Sequence, residues 1–354
     1  MTEHSSRKGD HLDLCATDKV AFKRKTTLLD EVELIHDALP ETRVDAIDLT
    51  TDLCGLSLSA PVVIAAMTGG IDRAETINKD LARVAEAHGL AFGFGSMRPL
   101  LEHGQTKGYL VRDVAPNAVL FGNIGIVQAV KSSSQQLIDM VGVADCDALC
   151  VHLNPAQEIV QPEGDDDFSG GLDAIARLVE DLNVPIIVKE TGCGLSRSVG
   201  QRLIARGVRV VDTGGAGGTS WVGVETLRAR ARQGLGERFW DWGIPTGASV
   251  AQLSDLSLHI IATGGIRHGL DIARAIALGA KAGGMARPFL TAWNEGGLLA
   301  ADQVAREVID DIRVACLLTG CRTPGELSSK PIVVGRALQR WIPSGTELAR
   351  RVGG

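Results

Sequence analysis

A single α/β domain folded as a (β/α)8 barrel of the TIM type is what this sequence predicts, and three observations carry that expectation. Eight short apolar runs alternate with longer stretches of helical period, as a parallel sheet with crossover helices requires. The ends of these runs are crowded with polar and charged residues, where a barrel carries its chemistry. The last two runs, inside His259–Leu290, lead into glycine turns followed by Arg267 and Arg287. Glycines let the backbone approach a phosphate, and the amides opening the next helix direct their positive dipole end at it. Turns of this kind after strands 7 and 8 form the phosphate grip of such barrels. A phosphorylated cofactor is therefore the expected ligand.

The candidate strands are Pro61–Ala66, Ala91–Phe94, Ala118–Phe121, Ala148–His152, Pro185–Lys189, Val208–Asp212, His259–Thr263 and Ala282–Met285. Between them, Ile77, Leu81, Val84, Ala85 and His88 share one helical face, and Gly89 is placed to stop that helix. Ile272, Ala273, Ile276 and Ala280 repeat the pattern near the phosphate grip. Three segments lie outside the bare barrel. Residues 1–60 are an N-terminal extension, a polar arm followed by apolar pieces suited to capping the barrel floor. Residues 214–247 form a long aromatic excursion between strands 6 and 7. The tail, 331–354, carries Trp341 and should pack back on the barrel body, 61–330.

Composition narrows the function. The chain has 36 basic and 43 acidic residues, a net charge of −7, which argues against a nucleic-acid or anionic-membrane surface. An anionic ligand must then be held by local cations. Seven cysteines, an odd number with no CxxC pair, argue against zinc and against a disulfide framework and fit reduced thiols in the cytoplasm. No apolar signal core or membrane-length run is present.

Read in order, the strand exits supply Met67-Thr68-Gly69, then Gly95-Ser96-Met97-Arg98, then Asn123. The fourth supplies His152, Asn154, Gln157 and Glu158, the fifth Lys189 and Glu190, and the sixth the run to Thr219. An ammonium at the end of strand 5 suits negative charge on a flavin's pyrimidine ring, although a lysine paired with Glu190 is the plainer alternative. Glu158 suits a divalent cation that takes one or two carboxylates plus ligand phosphates. Asp165, Asp166 and Asp167 are a competing metal site, or simply a solvated turn. In the arm, Arg7 and Lys8 could close with Arg98 over a diphosphate.

These blocks resemble the type 2, flavin-dependent isopentenyl diphosphate isomerases. The shared motifs are RKxDH at 7–11, MTGG at 67–70, GSMR at 95–98, GNIG at 122–125, HLNPAQE at 152–158, VKE at 188–190 and GGTSW at 217–221, followed by GGIRxGxD and MAR. The acidic loop at 161–170 matches as well, except that Asp166 stands where a basic residue is expected. The resemblance implies FMN, active when reduced, with its phosphate at Gly264, Gly265, Arg267, Ala286 and Arg287. Met67, Thr68, Gly69, Ser96, Asn123, Lys189 and Thr219 would contact the rest of it. Arg7, Lys8, His11, Ser96, Met97, Arg98, Asn154 and Gln157 would face a small diphosphate substrate. Gln157 and His152 would serve catalysis, and Glu158 would hold Mg²⁺. NADPH as reductant and a homo-oligomeric state are further expectations. Rival readings are a 2-hydroxy-acid oxidase, a nucleotide dehydrogenase or a barrel without catalysis. Val210–Trp221 carries no histidine, arginine or cysteine that the first two chemistries need after strand 6.

Overall fold

The computed structural model describes residues 14–69, 72–229 and 232–352. Within it, eight parallel strands close into a barrel: β1 (Val62–Ile64), β2 (Ala91–Gly93), β3 (Val119–Gly125), β4 (Ala148–Leu153), β5 (Ile186–Glu190), β6 (Val210–Asp212), β7 (His259–Thr263) and β8 (Ala282–Met285). Each strand neighbours the next in the chain, and β8 returns to β1 through Gly283↔Val62, Gly284↔Val63 and Met285↔Ile64. The strands are apolar on both faces because side chains fill the barrel inside and helices cover it outside. Every expected run contains a strand, and β3 continues past its predicted end to Gly125.

The helix Asp72–His88 shows how the outer layer is built. Ile77, Leu81, Val84 and Ala85 are buried on its inner face, as their spacing predicts. Gly89 ends it with a φ of +60°, and a Cβ there would collide with the Ser59 side chain. His88 in the last turn is held by Asp302 at 2.7 Å.

One end of the barrel is sealed. The antiparallel hairpin Thr51–Leu53 and Leu56–Leu58 brings Leu53 and Leu58 into the cluster of inward side chains that includes Val63, Phe121, Ile187, Val210 and Ile261. The apolar pieces ahead of β1 thus cap the floor. The arm and the tail also meet: Val32–Leu34 pairs antiparallel with Ile332–Val334, and Trp341 packs against the main core.

The excursion between β6 and β7 contains the helices Trp221–Ala229 and Gln233–Phe239. Its aromatic residues divide between two tasks. Trp240 is buried, donates from Nε1 to the Ala21 carbonyl at 2.9 Å and lies under the Lys23 ammonium, so it pins the arm. Phe239 and Trp242 pack together at the surface. All seven cysteines are free, and no described helix is long and apolar enough to cross a membrane.

Leu53→Ala should open a cavity in the floor and lower stability by roughly 2–5 kcal/mol. Urea unfolding measures this, and an unchanged midpoint would remove Leu53 from the core.

Candidate active site

The other end of the barrel is open, and the strand exits surround a cavity of about 730 Å³, a volume suited to a cofactor-sized ligand. Met67, Thr68 and Gly69 line it from the β1 exit, Ser96 and Arg98 from β2, and Asn123 from β3. His152, Asn154, Gln157 and Glu158 follow from β4, Lys189 from β5 and Thr219 from β6. Gly264, Gly265 and Arg267 complete the wall after β7, with Ala286 and Arg287 after β8. Met97 is the exception. It is fully buried, its Sδ lies 3.3 Å from the Asn123 amide nitrogen, and it faces the core between two residues that face the cavity. Arg7, Lys8 and His11 lie outside the described residues.

The turns expected to grip a phosphate are built from backbone that only glycine tolerates well. Gly264 and Gly265 have φ of +101° and +76°, and a Cβ on Gly218 would stand 2.5 Å from the Gly265 backbone. Arg287 opens the helix Arg287–Leu318 at the β8 exit. Its guanidinium meets Asp18 of the arm at 2.6 Å, and this cation holds the Asp18 carboxyl below the usual range. The arm continues along the β6 exit, where Phe22 N donates to Gly218 O at 3.0 Å and Ala21 bridges Thr219.

Across the cavity, the polar groups are oriented by each other. Asn123 donates from Nδ2 to the Phe94 carbonyl at 3.0 Å, which turns its Oδ1 toward His152 Nδ1 at 2.9 Å. That acceptor places the imidazole proton on Nδ1. Burial, reinforced by the Lys189 ammonium, pushes the His152 pKa down to about 3, so the ring is neutral near pH 7. Asn154 Nδ2 donates to Glu158 Oε1 at 2.7 Å, and Glu158 Oε2 accepts from Asp165 N at 3.0 Å. Gln157 donates from Nε2 to Glu225 Oε1 at 3.1 Å. Glu225 is fully buried, and its other oxygen accepts from Arg228 Nε at 2.7 Å.

Lys189 pairs across the sheet rather than with the neighbouring carboxylate. Its Nζ lies 3.9 Å from Asp212 Oδ2 and donates to the Glu190 carbonyl at 2.9 Å. The Glu190 carboxylate instead accepts from the amides of Thr191 and Gly194, at 2.6 and 3.2 Å, and from Cys193. The competing metal loop disperses. Asp165 pairs with Lys131 at 3.0 Å and Asp167 accepts from Ser169 N at 2.9 Å. Among the described residues, no group of three His, Cys, Asp or Glu side chains converges as a metal site.

Glu225, Asp212 and Asp18 escaped the motif reading. Glu225 carried one visible signal: it is an acid directly after the apolar stretch Trp221–Val224. Asp212 carried only its place at the end of a candidate strand, and Asp18 carried none, since their partners are brought to them by the fold.

This barrel has the form of a flavin enzyme: the FMN-dependent dehydrogenase family model matches residues 3–154 and 157–334. The similarity narrows further. An isopentenyl-diphosphate delta-isomerase of Methanothermobacter thermautotrophicus is 42% identical over 348 residues, covering 96% of this chain and 95% of that protein. One from Synechococcus sp. is 44% identical over 336 residues, covering 91% and 95%. The chain belongs to the isopentenyl-diphosphate delta-isomerases within the FMN-dependent dehydrogenase family. Solved structures share the fold at low identity. A mandelate oxidase mutant with an FMN adduct superposes with a TM-score of 0.66 at 18% identity, covering 91% of this chain and 95% of that one. A flavocytochrome b2 mutant superposes at 0.67 and 18%, covering 88% and 78%.

A His152 pKa near 3 has a consequence for stability. The unfolded imidazole, with a pKa of about 6.5, binds a proton that the folded one refuses. This contribution to stability is therefore complete above about pH 6.5 and is lost as pH falls toward 3. Nitrogen-15 NMR of the ligand-free protein should show His152 neutral from pH 5 to 8, and titration near 6 would contradict this environment.

Proposed function

We propose that the chain interconverts isopentenyl and dimethylallyl diphosphate, using reduced FMN across the barrel mouth and Mg²⁺ on the substrate's diphosphate. The observation that carries this reading is the cluster Asn154, Gln157 and Glu158 on the cavity wall, with the Gln157 amide tied to buried Glu225. Near full-length relatives named for this reaction support it.

The residues fit FMN. Gly264 and Gly265 form a positive-φ turn that lines the cavity, and the cations Arg267 and Arg287 stand beside it in an otherwise acidic protein. The hydroxyl of Thr68, buried in the wall, has no hydrogen-bond partner among the described residues, as suits a group kept for a ligand. We assign Gly264, Gly265, Arg267, Ala286 and Arg287 to the phosphate. Met67, Thr68, Gly69, Ser96, Asn123 and Thr219 take the remainder, and Lys189 the pyrimidine edge. When bound, reduced FMN supplies an electron-rich ring and a protonatable nitrogen beside the alkene.

The reaction adds a proton to the terminal methylene carbon and removes one from the methylene beside the oxygen-bearing carbon, so no electrons are consumed. The isopentenyl group is small and apolar, and binding must come mainly from the diphosphate. Arg98, Ser96 and Asn154 take it at the mouth, joined by Arg7, Lys8 and His11 of the arm. Arg98 lies 2.8 Å from Glu102, a half-exposed pair from which it can turn at little cost. Glu158 would provide the carboxylate that holds Mg²⁺, and the ion would neutralise charge on the substrate's diphosphate. Gln157, with Nε2 committed to Glu225, positions the hydrocarbon and relays a proton at its amide. We assign NADPH as the reductant that loads the flavin, the cytoplasm as the compartment and a homo-oligomer as the assembly.

The test is turnover of isopentenyl diphosphate with reduced FMN and Mg²⁺. Product should form without stoichiometric loss of reductant. Gln157→Ala should lower kcat about a hundred- to ten-thousandfold while FMN still binds, and Glu158→Gln should remove the response to Mg²⁺. Reductant consumed mole for mole with product would make the enzyme an oxidoreductase instead.

A further inference from the structure

Two buried side chains that no motif marks shape the exits of β1 and β2. The Tyr109 hydroxyl donates to the Ser96 carbonyl at 2.7 Å. Its ring meets Phe94 edge-on at 5.9 Å and lies so close to Gly69 that a Cβ there would collide with it. Asn78, buried on the helix Asp72–His88, donates from Nδ2 to the Thr68 carbonyl at 3.1 Å and to the Gly108 carbonyl at 2.7 Å. The Thr68 carbonyl also accepts from Gly95 N at 2.9 Å. Thr68-Gly69 and Gly95-Ser96 are thus one unit, strapped from outside by an amide and a phenol. Burial drives the phenol pKa upward, which keeps it a neutral donor.

We infer that Tyr109 and Asn78 are positioning residues for the flavin: they set the spacing between Thr68, Gly69 and Ser96 into which the ring system fits. The inference rests on the FMN reading above. Neither side chain lines the cavity, so both act through the backbone they hold. Asn78 governs the β1 exit by fixing a carbonyl, and Tyr109 governs both exits, by hydrogen bond at Ser96 and by ring contact at Gly69. A preorganised wall of this kind gains affinity because ordering it is not charged to the binding step.

Tyr109→Phe keeps the ring packing and deletes one donor. It should weaken FMN binding roughly tenfold, the factor to which about 1.4 kcal/mol corresponds, and shift the visible spectrum of the bound flavin. Binding is read by quenching of free FMN fluorescence on titration with protein. Gly69→Ala presses on the same ring from the cavity side, without the burden of a positive φ, and should produce a loss of the same kind should the first variant not fold. Leu53→Ala, at the opposite end of the barrel, is the control: it should lower Tm and leave FMN affinity at the wild-type value. Wild-type affinity and spectrum in Tyr109→Phe, or wild-type binding in Gly69→Ala, overturn the inference while the FMN reading stands. Wild-type protein that does not bind FMN ends both.

Discussion

Closure of the barrel at the β8–β1 seam is the constraint on which everything else depends. β8 reads Ala-Gly-Gly-Met, an unusual composition for a buried strand. The two glycines explain themselves by their surroundings. A Cβ on Gly284 would press on the Thr263 side chain and on Val63, and one on Gly283 would strike Ile272 of the helix outside. Without side chains there, β8 sits close enough to pair with both β7 and β1. That pairing sets the two phosphate-grip turns beside Met67–Gly69, so residues more than two hundred positions apart share one cavity wall.

The cavity separates charge by function. Cations stand on one side, at Arg267 and Arg287, where a phosphate would be neutralised. Lys189 keeps Asp212 as a distant counter-ion, and Asp212 is itself anchored by Gly214 N and Thr263 Oγ1. On the β4 side the groups are amides, a neutral imidazole and one carboxylate, each tethered by a neighbour at hydrogen-bond distance. Such tethering costs nothing at the moment of reaction, because the dipoles are aimed before substrate arrives. It also explains why Glu225, away from the catalytic step, is buried and paired with the half-buried Arg228: together they hold Gln157 from behind.

The strands and their exits were legible in the sequence because each is a local signal: a short apolar run, then polar residues where the run stops. The apolar pieces ahead of β1 were legible as a floor cap, but their pairing as a hairpin was not. What stayed hidden depends on contacts between distant segments. Gln157 and Glu225 are 68 residues apart, and Arg287 and Asp18 are 269 apart; no periodicity relates them. Met97 shows a different failure. In Gly95-Ser96-Met97-Arg98 the motif suggests that all side chains face one way. The chain turns there from strand into the helix Arg98–His103, with Met97 at its N-cap, so Ser96 and Arg98 reach the cavity and Met97 enters the core. Tyr109 and Asn78 were invisible because they bond to backbone, which leaves no pattern in the partner's residue type.

The most direct test of the account is a crystal structure of the protein grown with FMN. Electron density for the isoalloxazine should cross the mouth between Thr68 and Lys189, with the phosphate between Gly264-Gly265 and Ala286-Arg287. A mouth that stays empty at saturating FMN, or a phosphate seated elsewhere on the barrel, would contradict it.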